Sequence, residues 1–533
     1  APASSATSIS PQNIHWVVYS VMQSIMDEIY VAESLANPVK RALIADYNNP
    51  GGFKFGSHTD FPGPCAPPAA PPVSHTVAIN GSFPVTFGRN TQQWTLPARK
   101  PTGTYLAPGT IATVTVPSAL VNQGYKVRVG AHSWDLSGRA PVERLERATR
   151  LYPLDAETIE IASPYGGGIY IEVPIGSDAG VVNVTVTGAV RAPYFSAKTF
   201  HQTTPAEWLV ERTHLAPWAD FQSDKFMTQV PRKWIYNHPT PAQLMADWDA
   251  AMDAINSLMG YPLNRGKETM YCQADVILRS SVHAPGYPAV NISANPNSEV
   301  SPAGYAGSYF VRGPGASLTA ANIEFHEQGH AYFFPKFNGE GESNVNLLQP
   351  AMLQRAFGKT FDEAQNGSFG GGRSFITMDN TAVAWMTVFN FSPREEPMDS
   401  AEKAYQHKGH AKFMDIARLF GWDKLDTFWR SFMEDDANNI SYGTGTVIHS
   451  HGTESLIITC AHVFRDSKGQ GPIHVDLFAP GMRGTVPGKL LLCDLDRDVA
   501  LVTVQTQNPL PTAPVAARDP RNGERVFSIG CNH

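Results

Sequence analysis

Two histidines four residues apart, with a glutamate between them, are the residues of this sequence whose spacing most clearly predicts chemistry. They are His326 and His330, with Glu327, in the stretch IEFHEQGHAYFF. Positions four apart lie one turn above each other on a helix, so both imidazoles can turn a ring nitrogen to one metal ion. In this HExxH arrangement zinc lowers the pKa of its water to about 7, and the carboxylate accepts a proton as the water attacks a carbonyl.

A catalytic zinc also needs a third protein ligand and one open position. Pro335 should end the first helix, and the loop KFNGEGE can turn the chain back towards a second helical run. Glu342 begins that run and is the predicted third ligand, with Glu340 as the competing choice. The alternative is a surface helix with incidental histidines, which does not explain Gly329 or the apolar residues around the motif.

Composition bounds the classes of protein to which the chain can belong. Its 533 residues predict about three to four domains. A formal charge of −7 without a basic stripe argues against a nucleic-acid partner. No apolar run approaches the roughly 18 residues of a membrane helix. The five cysteines form no CxxC pair, so we expect no cysteine zinc knuckle. The opening APASSATSIS, without Met, predicts a mature form or a fragment, and the oligomeric state stays open.

The N-terminal 75 residues predict a helical region followed by a stiff linker. We assign residues 1–60 to the helical region and the proline-rich residues 61–75 to the linker. The helix predicted between 10 and 45 has an apolar stripe that we expect to pack against the protein. The stripe consists of Ile14, Val17, Val18, Val21, Ile25 and Ile29.

The central part of the chain divides by its hydrophobic period. Residues 76–200 contain short alternating segments such as IATVTVP and GGIYIEV, which predict a β-sandwich serving as a carbohydrate-binding module or as a scaffold. Residues 201–440 favour helices, the clearest being TPAQLMADWDAAMDAINSLMG. That helix places one apolar face on Leu244, Trp248, Met252, Ile255 and Met259.

From about residue 100 to 435 the sequence resembles the enhancin-like, mucin-degrading zinc metallopeptidases of the gluzincin type. The likeness rests on HEQGH, eleven residues and then ESNVNL, with support from YKVRVGAHSWDL, IASPYGGGIYIEV and HAPGYPAV. It implies a β-sandwich packed on a catalytic domain and endopeptidase activity on O-glycosylated proteins. By this likeness His326, His330 and Glu342 bind Zn²⁺ and Glu327 is the base. It also implies a secreted, cell-surface or periplasmic location.

A second set of chemical residues lies in 441–533. TCAH and DVAL resemble segments of the first barrel of trypsin-like serine proteases and give His462 and Asp498. In such enzymes the acid orients the imidazole, which accepts the serine proton. No G-x-S-G-G follows, so we expect a truncated barrel without its nucleophile.

Together these features predict an α+β multidomain protein. Its expected parts are an N-terminal helix, a β-sandwich, a mainly helical gluzincin-type catalytic domain and a partial trypsin-like β-barrel. The leading functional expectation is a zinc endopeptidase that cleaves O-glycosylated proteins. Two alternatives remain, which are a non-catalytic glycan-binding or adhesion protein with the same fold and a serine protease with accessory domains.

Overall fold

The computed structural model describes most of the chain, in two compact units, Ala1–Arg430 and Ser431–His533. The described residues are 14–46, 52–84, 96–134, 144–264, 266–275, 287–291, 311, 313–315, 323–332, 341–367, 409–437, 441, 443–464, 467, 470–478 and 484–514.

Strands and helices both contribute to the fold. The strands are β1 (Ser74–Phe83), β2 (Ala98–Leu106), β3 (Ile111–Thr115), β4 (Lys126–His132), β5 (Ala148–Pro153), β6 (Thr158–Ala162), β7 (Gly167–Val173), β8 (Ser177–Thr187), β9 (Val190–Arg191), β10 (Tyr194–Lys198), β11 (His201–Gln202), β12 (Trp218–Ser223), β13 (Phe226–Pro231), β14 (Met270–Ala274), β15 (Ala289–Asn291), β16 (Gly445–His451), β17 (Glu454–Thr459), β18 (Ile473–Leu477), β19 (Gly484–Asp494) and β20 (Val499–Gln505). The helices are α1 (Ile14–Ile29), α2 (Ala32–Ala36), α3 (Pro38–Asp46), α4 (Pro205–Glu211), α5 (Arg232–Ile235), α6 (Pro241–Leu258), α7 (Ile323–Tyr332), α8 (Gly341–Asn344), α9 (Leu348–Phe357), α10 (Phe361–Gly367), α11 (Ala411–Phe420) and α12 (Trp422–Ala437).

Two sheets form a sandwich, in the strand orders β1-β8-β3-β6 and β5-β4-β7-β2-β9. Their facing side chains share one apolar core that includes Val127, Ile169 and Val186. Every residue of β7 is buried, which requires a cover on both faces of its sheet. The second cover is a mixed sheet of order β11-β10-β12-β13-β14-β15. We call it the third sheet.

The third sheet is a departure from the sequence-based expectation. Residues 201–440 were expected to be mainly helical, and helices do predominate among their described residues, but five of the six strands of this sheet also begin at or after His201. Segments such as WADFQS, FMTQVP and MYCQA are buried throughout although they carry polar side chains. Because both faces are buried, the alternating apolar pattern that marks a half-exposed strand is missing.

A buried polar layer joins the sandwich to the third sheet. Tyr170 Oη donates to both carboxylate oxygens of Asp220 at 3.0 Å. Gln229 Nε2 donates to the same hydroxyl, and Gln273 Nε2 donates to Gln229 Oε1 at 2.6 Å. Burial raises the pKa of Asp220 to about 7. Such a bonded network fixes one placement of the two layers, as the scaffold interpretation of the sandwich expects.

The N-terminal helix packs with a different face from the one the sequence predicted. Ile14, Val17, Val18 and Val21 are exposed, whereas Met26 is fully buried. Ion pairs explain the rotation of the helix. Asp27 binds Arg147 at 2.9 Å and Arg150 at 2.6 Å, and these contacts turn a partly polar face of α1 towards the sandwich. The prediction of one continuous packing stripe was therefore wrong for its first half.

The helix predicted between residues 240 and 260 is confirmed as α6, and all five residues of its predicted apolar face are buried. Trp248 stacks on Phe226 with ring centroids 3.9 Å apart. It also stacks on Phe325 of α7 at 5.7 Å. α6 therefore connects the third sheet to the helix that carries the two histidines.

The second unit contains an antiparallel sheet of order β16-β17-β20-β19-β18. Its small core includes Ile457, Val502 and Val504. Among its described residues, Phe478 is 87% exposed and Leu491 is 54% exposed. Of all the helices in the described ranges, none has the length and apolar content that crossing a bilayer requires.

Removal of one buried carboxylate should test the junction between the sandwich and the third sheet. Arg144 donates to Asp275 through Nε at 2.9 Å and through Nη2 at 2.8 Å, and both side chains are 0% exposed. Asp275→Ala leaves an unpaired buried guanidinium, so it should lower the free energy of unfolding of the first unit by about 3–5 kcal/mol. Urea denaturation followed by tryptophan fluorescence measures this.

The matched control is Asp253→Ala, which breaks the Lys225–Asp253 pair at a side chain that is 61% exposed. This exposed pair should contribute at most about 1 kcal/mol. Equal, small decreases in the free energy of unfolding in both variants would contradict the assigned role of the buried pair.

Candidate metal centre

The helix with the HEQGH motif is packed into the first unit. The side chain of Phe325 is buried against Trp248. Gly329 faces the short turn Val345–Leu347, and a Cβ placed on it would lie 2.6 Å from the Cβ of Val345. Only glycine permits this close approach of α7 to the turn. A surface helix with incidental histidines does not fit such an environment.

The two histidines of the motif converge. His326 Nε2 and His330 Nε2 lie 3.1 Å apart, with ring planes at 85°. His326 is 6% exposed, and its Nδ1 lies 2.7 Å from Asn346 Oδ1. The amide oxygen can only accept, so Nδ1 carries the proton and Nε2 carries a lone pair. Asn346 therefore selects the tautomer of His326 that can bind a metal through Nε2.

These residues fit a zinc ion. With Zn–N distances of 2.0–2.1 Å, two imidazole nitrogens of a tetrahedral site lie about 3.3 Å apart. The separation of 3.1 Å between the two Nε2 atoms is close to this value. The ring nitrogen opposite the metal position of His326 has the oxygen partner that metal-bound histidines need.

The structure describes the predicted carboxylates in less detail than the two histidines. Glu327 directly follows His326 in α7 and is half-buried. The backbone of Glu342 lies in α8, which the turn Val345–Leu347 follows directly. Glu340 lies outside the described residues. The assignment of Glu342 as third ligand therefore stays a prediction.

Sequence reasoning missed two residues that form hydrogen bonds at the motif, one outside it and one inside it. Asn346 binds His326, and Gln328 Nε2 donates to the carbonyl oxygen of Thr269 at 3.1 Å. A signal for Asn346 was available in the sequence, because it follows Glu342 by four positions and a continuous α-helix through both would place them on nearly the same face. Gln328 gave no signal beyond its place inside the motif.

The second predicted constellation also comes together. His462 Nδ1 lies 2.8 Å from Asp498 Oδ2, and the backbone N–H of His462 donates to Asp498 Oδ1 at 2.8 Å. These hydrogen bonds from His462 lower the pKa of Asp498. Both side chains are about half exposed, at 52% and 48%. Cys460 lies beside them, and ligand atoms of the three residues are within 4.8 Å of one another.

Family models match most of the chain. The model for Peptidase M60, enhancin and enhancin-like, matches residues 188–465, which is more than half of the 533 residues. The model for the N-terminal domain of M60-like peptidases matches residues 71–187. The model for the trypsin-like peptidase domain matches residues 443–533.

Curated relatives match a smaller part. The chain is 32% identical over 217 residues to a TRPM8 channel-associated factor homolog of Xenopus laevis, covering 40% of this chain and 22% of the relative. It is 31% identical over 216 residues to TRPM8 channel-associated factor 2 of Homo sapiens, again covering 40% of this chain and 22% of the relative. The chain thus spans about a fifth of the length of these relatives.

Solved structures are similar at low sequence identity. A functionally unknown conserved protein from Bacillus anthracis, solved as a mutant, is 15% identical with a TM-score of 0.47, and the match covers 68% of each chain. The IMPa metallopeptidase from Pseudomonas aeruginosa is 16% identical with a TM-score of 0.41, covering 69% of this chain and 44% of that one. Likenesses of this strength carry no argument about activity.

The family models that match residues 71–187 and 188–465 follow one another along the chain and cover the sandwich, the third sheet and the converging histidines. The match to the trypsin-like peptidase domain covers residues 443–533 and overlaps the end of the M60 match at residues 443–465. The chain therefore belongs to the M60 peptidase family of enhancin and enhancin-like proteins.

Proposed function

We propose that this chain is a zinc-dependent endopeptidase that cleaves O-glycosylated, mucin-like proteins. The observation that carries the proposal is the 3.1 Å approach of the Nε2 atoms of His326 and His330. Membership of a peptidase family supports the same conclusion. In this proposal His326, His330 and Glu342 hold the zinc ion, and Glu327 is the general base.

The residues around the proposed zinc have separable roles. Zinc supplies a Lewis acid that lowers the pKa of a water molecule to about 7. Glu327 accepts the proton of the water that attacks the scissile carbonyl, and it then passes that proton to the leaving amine. Asn346 holds the Nδ1 proton of His326, so the Nε2 lone pair stays directed at His330.

The proposed substrate class rests on the family. The chain resembles the enhancin-like peptidases in its HEQGH motif and the following Glu342. That likeness implies O-glycosylated proteins as substrates. A location outside the cell, at its surface or in the periplasm would give access to them. An adhesion protein that only kept the fold would not need Glu327 beside the histidine pair, so the intact motif favours the enzyme.

The first test removes the proposed base. Glu327→Gln keeps the shape of the side chain but cannot accept a proton at this position. Zinc content should stay at the wild-type level, while kcat on a mucin-like substrate should fall by about 10²–10⁴-fold. Elemental analysis and initial rates measure the two quantities. Activity within a few-fold of wild type would remove Glu327 from this role.

The second test addresses the substrate. The enzyme should cleave an O-glycosylated mucin fragment and spare the same fragment after enzymatic removal of its glycans. Mass spectrometry of the products, with and without a zinc chelator, measures the cleavage. Equal cleavage of both forms would refute the mucin assignment and leave the zinc chemistry intact.

The third test concerns the partner of His326. Asn346→Ala removes the acceptor at Nδ1, and loss of such a partner lowers metal affinity by about 10–100-fold. Chelator competition measures the zinc dissociation constant. Asn346→Asp is the matched control, because its carboxylate still accepts the proton and should keep the affinity within a few-fold. Unchanged affinity in Asn346→Ala would show that the hydrogen bond does not orient the ligand.

A further inference from the structure

Three charged side chains are buried together where the sandwich meets the third sheet. Lys100 comes from β2 of the sandwich, Lys198 ends β10, and Glu268 lies two residues before β14. Their side chains are 2%, 3% and 7% exposed. Both ammonium groups bond Glu268 Oε1, that of Lys198 at 2.8 Å. Tyr287 Oη donates to the other carboxylate oxygen at 3.4 Å.

The charges hold one another in place. Burial alone would raise the pKa of Glu268, but Lys100 and Lys198 outweigh it and lower that pKa to about 2. Glu268 is therefore a carboxylate at neutral pH. If it moved away, two buried ammonium groups would lose their counter-ion, which is strongly unfavourable in such a site.

The carboxylate anchors a strained stretch of backbone. Glu268 has φ of 52°, a left-handed conformation that non-glycine residues seldom adopt. Its N–H donates to the carbonyl oxygen of Asp224 at 2.9 Å, and the N–H of Thr269 donates to that of Lys225 at 2.8 Å. Such a conformation persists only where the surroundings hold the residue firmly.

The anchored backbone contacts the helix of the metal centre. The carbonyl oxygen of Thr269 accepts a hydrogen bond from Gln328 Nε2 at 3.1 Å. Gln328 is 1% exposed and lies two residues from both His326 and His330 in α7. One peptide unit thus separates the charged cluster from a side chain inside the HEQGH motif.

We propose that Glu268 is a positioning residue for the metal centre. Held between Lys100 and Lys198, it fixes the carbonyl of Thr269, and this carbonyl fixes α7 through Gln328. Through Lys100 the sandwich thereby helps to set the position of the two histidines. The inference rests on the proposed zinc site, and the test separates the two.

The experiment measures zinc affinity of the full chain by chelator competition, together with the visible spectrum of the Co²⁺-substituted protein. Glu268→Gln keeps the shape of the side chain and removes its charge. Gln328→Met keeps a side chain of similar size and removes the hydrogen bond to Thr269. This variant tests the proposal if Glu268→Gln does not fold. Each should raise the zinc dissociation constant about 10-fold and shift the Co²⁺ bands, and kcat should fall more than KM changes.

Two controls carry the same substitutions elsewhere. Glu160→Gln breaks an ion pair with Arg41 on the sandwich, where the two side chains are 34% and 40% exposed. Gln243→Met removes an exposed hydrogen bond to Asp247 in α6. Both should leave the zinc dissociation constant and the Co²⁺ spectrum as in wild type. The double variant Glu268→Gln/Gln328→Met tests whether Glu268 acts through Gln328. If it does, adding Glu268→Gln to Gln328→Met should raise the zinc dissociation constant by less than about two-fold more.

The outcomes are distinct. A wild-type chain that binds no zinc overturns the proposed function and this inference with it. A wild-type chain that binds zinc, with unchanged affinity and Co²⁺ spectrum in Glu268→Gln or Gln328→Met, overturns the positioning role alone. If the two fold-losses of zinc affinity multiply in the double variant, Glu268 does not act through Gln328, and this too would overturn the proposal.

Discussion

A histidine binds a metal only through a nitrogen that carries no proton, and this constraint governs how the region around His326 is built. Asn346 satisfies it by accepting the Nδ1 proton, which leaves Nε2 directed at His330. Asn346 lies in the turn Val345–Leu347, and that turn reaches α7 only because residue 329 has no Cβ. The glycine, the turn and the amide are therefore parts of one arrangement that brings the Nε2 atoms of two imidazoles to one point.

The same unit shows why a sandwich precedes the peptidase region. The sandwich sheet that contains β7 meets the third sheet through polar contacts, among them the hydrogen bonds of Tyr170 with Asp220 and the ion pair of Arg144 with Asp275. An apolar junction would tolerate sliding between layers, whereas directed hydrogen bonds between buried groups define one relative placement. We therefore interpret the sandwich as part of the framework of the first unit and not as a separately attached module.

Much of this could be predicted from sequence, and the exceptions have physical causes. The spacing of His326 and His330 predicted their convergence, and the apolar period predicted α6 and the sandwich. The third sheet was not predicted because its buried strands carry polar residues such as Asp220 and Gln229. The hydrogen-bond partners of these residues lie far away along the chain, so no local pattern marks the strands as buried. The contact of Asn346 with His326 was missed because it depends on the close approach of the turn Val345–Leu347 to Gly329, which lies 16 or more residues away along the chain.

The most direct test of the account is X-ray absorption at the zinc edge on the purified, zinc-loaded chain. Zinc held by His326 and His330 should show only nitrogen and oxygen neighbours, at about 2.0–2.2 Å, with the scattering pattern of two imidazoles. The same protein offers a competing set of donors in Cys460, His462 and Asp498. A zinc–sulfur distance of about 2.3 Å would place the metal at that set and contradict the assignment to His326 and His330.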